Sequence, residues 1–186
     1  MKGKKIMEKT PLDKAKNKGK KFNMYLYVLG LIQHYNEKSY WRMREEVINP
    51  NSKKNTLIRL WYLFRIKRSD AFNNASMGTN LNSGAQFDSV PYLPHHLNGI
   101  IISHYAKFGK NCTIYQQVTV AQNDYTNKAA TIGDNVVIGA GAKIIGEVTI
   151  GDNVKIGANA VVVKDIPANC TAVGVPARII PHNTEE

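Results

Sequence analysis

From Ile102 to Val162 every sixth residue is aliphatic or Phe, with one exception. The series runs Ile102, Phe108, Ile114, Val120, Thr126, Ile132, Ile138, Ile144, Ile150, Ile156 and Val162. The next position is often Gly, at 109, 133, 139, 151 and 157. The fourth residue after each is small or branched, as at Ala106, Cys112, Val118, Val136, Ala142, Val148, Val154 and Ala160. A period of six matches neither a helix nor a lone strand, whose periods are about 3.6 and 2. It matches a parallel β-helix built from hexapeptides, in which each hexad supplies one short strand and one corner. The aliphatic residue is expected to point into a prism, and the Gly to permit a corner with positive φ. Three hexads then make one coil.

The exception locates an interruption. Residues 121–131 include Gln122, Asn123, Asp124, Tyr125 and Asn127 but no aliphatic side chain larger than Ala. A polar stretch inside a solenoid is expected to leave the prism as a loop, and such loops tend to carry function. Ahead of the repeat, residues 70–94 are rich in Asn, Ser and Gly; Met77-Gly78 and Ser83-Gly84 echo the repeat weakly and predict a degenerate first coil.

The spacing changes further upstream. Tyr25, Leu29, Ile32, Tyr40, Met43 and Val47 recur at three-to-four spacing and predict a helix over 22–48. Asn49-Pro50-Asn51-Ser52 breaks it. A second helix is predicted over 56–67, with Leu57, Leu60, Trp61 and Phe64 on one face and Arg59, Arg65, Lys67 and Arg68 flanking it. Three regions follow: a disordered basic tail over 1–21, a helical N-terminal segment over 22–75, and a parallel β-helix with a C-terminal tail over 76–186.

Charge separates the same regions. The net charge is +11 over the 186 residues. Counting Lys, Arg, Asp and Glu gives +7 for 1–21, +5 for 22–75 and −1 for 76–186. The basic front end reads as a solvated arm, or alternatively as a weak contact with an anionic membrane surface. A basic amphipathic helix over 56–67 could lie on a membrane; the plainer reading packs it on the β-helix or on a neighbouring subunit. No nucleic-acid reading motif accompanies the charge. The apolar run from Met24 to Ile32 is too short to span a bilayer. Cys112 and Cys170, the two cysteines, make no disulfide framework, and Cys112 falls at an inward position of the repeat. Both lie in Asn-Cys-Thr sequons, but no secretory signal precedes them, so a cytoplasmic location is expected.

Four stretches in order, Leu97-Asn98-Gly99-Ile100-Ile101-Ile102, Gln117-Val118-Thr119, Ile138-Gly139-Ala140-Gly141-Ala142-Lys143 and Gly174-Val175-Pro176-Ala177-Arg178, resemble the serine O-acetyltransferases and their surface-polysaccharide O-acetyltransferase relatives. The resemblance covers roughly residues 90–180. It implies a left-handed parallel β-helix, acetyl-CoA as co-substrate, no metal, and a homotrimer with sites shared between neighbours. The family's catalytic His stands three residues before a Gly, which here gives His96; the Leu-Pro-His of the polysaccharide relatives points instead to His95. Both remain candidates. The resemblance also implies a cofactor track over Ala121, Ala140, Gly141, Ala158 and Asn159, with Lys164 and Arg178 toward the cofactor phosphates.

Two departures bear on the acceptor. The Asp that precedes the family's His is replaced by His95. The Arg-His-Pro of the family's loop is replaced by a stretch ending Lys128-Ala129-Ala130-Thr131. These departures favour a sugar hydroxyl of a polysaccharide precursor over L-serine, which stays as the alternative. A zinc carbonic anhydrase on the same fold needs three His from separate coils, but none lies between Ile114 and Thr171. A non-catalytic module that keeps only the fold is the remaining reading.

A His suits the chemistry. An alcohol attacks a thioester poorly while it holds its proton, and a positioned imidazole, with an ordinary pKa of ~6.5, can take that proton near neutral pH. No nucleophilic Ser or Cys motif is present, so direct transfer in a ternary complex is expected.

Overall fold

The computed structural model describes Ile32 and residues 34–182. The basic tail and most of the predicted helix before residue 34 lie outside the described residues.

The hexad period becomes a three-faced parallel solenoid. The first face stacks Ser76–Met77, Ile101–Ile102, Thr119–Ala121, Lys143–Ile145 and Val161–Val162. The second stacks Gln86–Phe87, Lys107–Phe108, Thr131–Ile132 and Thr149–Ile150. The third stacks Thr113–Ile114, Val137–Ile138, Lys155–Ile156 and Cys170–Val173, and the antiparallel strand Arg178–Pro181 closes it. Every inward aliphatic residue of the series is buried, from Ile102 to Val162. Each such side chain contributes about 1.5–3 kcal/mol when withdrawn from water. A first coil forms, in which Met77 pairs with Ile102, Phe87 with Phe108, and Tyr92 bridges Thr113, but the second echo, Ser83–Gly84, leaves it to pair antiparallel with Thr79–Asn80.

Register locates the interruption. Ile138 pairs with Ile156 and Ile144 with Val162, a step of eighteen residues. Phe108 pairs with Ile132 and Ile114 with Ile138, a step of 24. One hexad, the one holding Thr126, has therefore left the prism as a loop. Its tip, Tyr125, is 98% exposed. The loop is closed by its own Asn123, whose backbone N–H donates to the Lys128 carbonyl and whose side chain accepts from the N–H groups of Tyr125 and Thr126.

The corners differ from the expectation. The glycines after the aliphatic residues do not take positive φ. The left-handed residue lies three positions after the aliphatic one and is Asn111, Gln117, Asn135, Gly141, Asn153 or Asn159. Gly139 is required for another reason. A Cβ there would stand 2.6 Å from the Ala158 nitrogen and 2.8 Å from the Ile156 carbonyl oxygen, both backbone atoms of the next coil. Asparagine suits the left-handed turn because its short amide can bond locally. Here the amides also bond between coils: Asn111 donates to Asn135 (3.3 Å), Asn135 to Asn153 (3.1 Å) and Asn153 to Asn169 (2.9 Å).

Two helices precede the solenoid. The described part of the predicted 22–48 helix is broken at residues 34–36, where Asn36 caps a new helix, α1, over Glu37–Ile48. The second, α2, spans Thr56–Phe72, five residues beyond the predicted end. Arg59, expected to flank the apolar face, is buried. Its guanidinium donates to the carbonyls of Glu46 (2.9 Å), Val47 (2.8 Å) and Asn49 (2.9 Å) and so satisfies the open C-terminal end of α1. Arg44 of α1 donates to Thr79 Oγ1 and to the carbonyls of Met77 and Ala85, fixing the helix to the first coil. The apolar face expected to pack is the exposed one: Leu57, Leu60, Trp61 and Phe64 are 44–74% exposed.

Candidate active site

One corner of the prism collects most of the residues singled out above. The chain passes from the third face to the first through residues 93–100, 115–118, 139–142 and 157–160, stacked coil on coil. Backbone hydrogen bonds tie the stack together: Gln117 N–H donates to the Asn98 carbonyl, Gly141 N–H to that of Gln116, and Asn159 N–H to that of Ala140. Ala140 and Gly141 thus lie beside Ala158 and Asn159, and the loop that carries His95 and His96 continues the same stack upward.

Residues 93–100 make a wider corner than those below. Its Tyr92 end is offset from Thr113 by 21 residues, whereas Ile101 is offset from Thr119 by eighteen. The extra length includes the Leu93-Pro94-His95-His96 turn, which His96 N–H closes on the Leu93 carbonyl at 3.0 Å. His96 sits at φ +55. A left-handed residue that is neither Gly nor Asn costs free energy and persists only where its surroundings hold it.

The two imidazoles differ. His95 is exposed, its ring 6.2 Å from that of Tyr115 one coil below. His96 is half-buried, its ring 5.4 Å from Tyr35, which comes from the segment just before α1. Tyr35 is itself buried, and its hydroxyl accepts from Trp41 Nε1 at 3.2 Å. Burial holds its phenol protonated well above the ordinary range. No carboxylate bonds to His96 among the described residues; an aromatic ring occupies its flank instead. Sequence reasoning missed Tyr35, because no local pattern links it to a corner so far downstream. It also missed Gln116, whose side-chain oxygen is buried at this corner without a hydrogen-bond partner.

Ala121 and Lys164 lie on or next to the first face, and Arg178 lies on the closing strand of the third. Ala121 ends the strand Thr119–Ala121, at the edge where the extruded loop begins. Lys164 follows the last strand of that face and lines a small cleft with Pro176 and Ala177. Arg178 pairs with Val173 in the closing hairpin, and the neighbouring Ala177 N–H donates to the Val161 carbonyl at 2.8 Å. Both cations are exposed. Within one chain the extruded loop and the His corner flank opposite edges of the first face. The loop's cation, Lys128, pairs with Glu147 at 2.8 Å in a solvent-exposed bridge.

The thiols are outside this chemistry. Cys112 is buried and directed at backbone carbonyls, and burial pushes its thiol up to about 11. Cys170 is buried as well.

Residues 129–164 match the bacterial transferase hexapeptide family, six repeats. The serine acetyltransferase of Synechococcus elongatus is 40% identical over 105 residues, covering 55% of this chain and 43% of that protein. That of Mycobacterium tuberculosis is 38% identical over 111 residues, covering 59% and 48%. The chain spans about half the length of the curated relatives it matches. Among solved structures, serine acetyltransferase from Brucella abortus superimposes with a TM-score of 0.61 at 27% identity, covering 82% of this chain and 56% of that one. The same enzyme in complex with coenzyme A gives a TM-score of 0.61 at 26% identity, covering 82% and 55%. In its fold, and over residues 129–164 in its sequence, the chain carries the hexapeptide repeat of bacterial transferases, and across its β-helix it resembles the serine acetyltransferases.

Proposed function

We propose that this chain transfers acetyl from acetyl-CoA to an acceptor hydroxyl, with His96 as general base. The observation that carries the reading is the corner stack. A half-buried imidazole, held in a strained turn, heads the same column of small residues, Ala140, Gly141, Ala158 and Asn159, along which a narrow pantetheine arm can approach the backbone. His96 takes the acceptor's proton as its oxygen attacks the thioester carbonyl. The tetrahedral intermediate collapses with loss of the coenzyme thiolate, which receives the proton back from the imidazolium. No covalent enzyme intermediate is needed, in keeping with two buried thiols. Lys164 and Arg178 meet the coenzyme phosphates. A homotrimer sets this corner and its column against the neighbouring subunit, so that each groove is shared between two chains, as heterologous ring contacts do. Reduced cysteines and acetyl-CoA dependence fit a cytoplasmic enzyme.

L-serine is the acceptor that the relatives favour, since the proteins and structures compared above are serine acetyltransferases. This reverses the preference drawn from the residues alone, for which the comparisons offer no support. A sugar hydroxyl stays as a second reading on one observation: residues 121–131 hold no Arg and no His, and Lys128 is already engaged with Glu147. The test is to incubate the purified chain with acetyl-CoA and either L-serine or a panel of sugars and nucleotide sugars, then identify the product by NMR. O-acetylserine supports the first reading and an acetylated sugar the second. No acetylated product from either contradicts both.

A further inference from the structure

The first half of α2 carries an apolar stripe on its outer face, and Phe72 ends the helix exposed. Leu57, Ile58, Trp61, Phe64 and Phe72 are each 45–74% exposed, and the rings of Trp61 and Phe64 stack on one another at 5.6 Å rather than on the solenoid. The opposite side of the helix is anchored by Arg59, Ile66, Ser69 and Asp70, all buried. The helix cannot turn its stripe inward without breaking those contacts.

Charge selects what covers the stripe. Lys53, Lys54, Arg65, Lys67 and Arg68 are all exposed on or just ahead of the helix. The lone acid over 53–72 is Asp70, which is buried and accepts a hydrogen bond from the Tyr40 hydroxyl. Two copies of this face therefore repel each other, so isologous pairing through it is disfavoured. Exposed aromatic and aliphatic side chains flanked by cations alone suit a surface that is apolar inside and anionic outside. We infer that α2 docks on an anionic phospholipid surface, with Leu57, Trp61 and Phe64 entering the acyl boundary and Arg65, Lys67 and Arg68 meeting lipid phosphates. The C-terminal end of the same helix adjoins the His corner: Phe72 packs on His34 at 4.2 Å, and Gly99 N–H donates to the Asn73 carbonyl at 3.0 Å. Docking thus sets that corner close to the bilayer. The inference stands whether or not the chain transfers acetyl.

The chain has two tryptophans, and they make the test specific. Trp41 is buried and packed on Phe87, whereas Trp61 is 55% exposed. The whole 186-residue chain is titrated with vesicles of phosphatidylglycerol and phosphatidylcholine, or of phosphatidylcholine alone, with tryptophan emission and co-sedimentation read together. Expected are a blue shift and co-sedimentation with the anionic vesicles only, both weakened by salt. The shift disappears in Trp61→Phe. R65Q/K67Q/R68Q weakens binding by about a hundredfold, the effect of losing three cations near an anionic surface, and W61S/F64S also loses binding. Three outcomes overturn the inference. Co-sedimentation without a blue shift, or undiminished in W61S/F64S, assigns binding to the Lys-rich residues 1–21. Emission from Trp61 that is already blue-shifted without lipid shows the face covered by another copy. Absence of binding to anionic vesicles removes the lipid partner.

Discussion

The ring of Tyr35 stands 5.4 Å from that of His96, centroid to centroid and tilted by 56°. A residue of the N-terminal segment thus braces the imidazole that heads the corner stack. Aromatic contacts of this kind are worth about 0.5–1.5 kcal/mol beyond the area they bury. Tyr35→Phe keeps the ring and loses only the hydrogen bond from Trp41, so activity is expected to stay within about twofold, with a stability loss of about 1 kcal/mol. Tyr35→Ala frees the imidazole, and kcat is expected to fall by about tenfold or more while KM for acetyl-CoA holds. Equal loss in both variants, or a change confined to KM, would mean that the ring does not position His96.

Gly139 and Gly146 separate two uses of glycine. At Gly139 the obstacle is the backbone of the next coil, 2.6 Å from an added Cβ. At Gly146 nothing lies within 4 Å, but φ is +87. Gly146→Ala is expected to cost about 1–2 kcal/mol, the penalty for a left-handed L-residue. Gly139→Ala is expected to cost more and to weaken acetyl-CoA binding as well, because it parts the coils at Ala140 and Ala158. Denaturation midpoints and coenzyme affinity check both.

Asn135 combines a left-handed turn with two side-chain bonds, to Asn111 and Asn153. Asn135→Gly loses the bonds and keeps the turn; Asn135→Ala loses both. The Ala variant is expected to unfold first, with Gly between it and the parent, the gap between variants being about 1 kcal/mol or more. Urea titrations give the order. Equal losses in the two variants would show that the ladder, not the turn, sets the stability of this corner.

Asp70 supplies a pH dependence. Burial raises its carboxyl above the ordinary carboxylate range, against the lowering effect of the Tyr40 hydroxyl. A raised folded-state pKa means that the folded chain binds the proton at higher pH than the unfolded chain. Asp70 therefore adds stability as pH falls from its folded value toward its ordinary value of about 3.9. Measured against Asp70→Asn, the parent is expected to gain relative stability on acidification through that window. A flat or opposite difference between the two would contradict the assignment.

The solenoid was legible because its signal repeats. Ten aliphatic or Phe positions at one spacing leave a single arrangement that buries them all, and Thr126, which breaks the series, marks the loop. The corners were less legible. A Gly beside a buried aliphatic residue serves equally for a left-handed turn or for a close coil, and only the stacked backbone at Ala158 tells which. The helices misled because amphipathicity specifies an apolar face without its partner: Arg59 went inward to close α1 while Trp61 stayed out. That His95, His96 and the small-residue column share one corner follows from the hexad register. Tyr35 could not be read from the sequence, because its contact with His96 is purely tertiary. The acceptor could not be read either, since residues 121–131 lack the Arg and His that the resemblance leads one to expect there.

The proposed general base is His96, not His95. The direct measurement is the rate of thiol release from acetyl-CoA with the preferred acceptor for the parent, His96→Ala and His95→Ala. General-base removal predicts a fall of about 10²–10⁴-fold for His96→Ala with little change for His95→Ala. A parent-like rate in His96→Ala, with the loss appearing in His95→Ala, would move the base to the exposed ring beside Tyr115 and contradict the account.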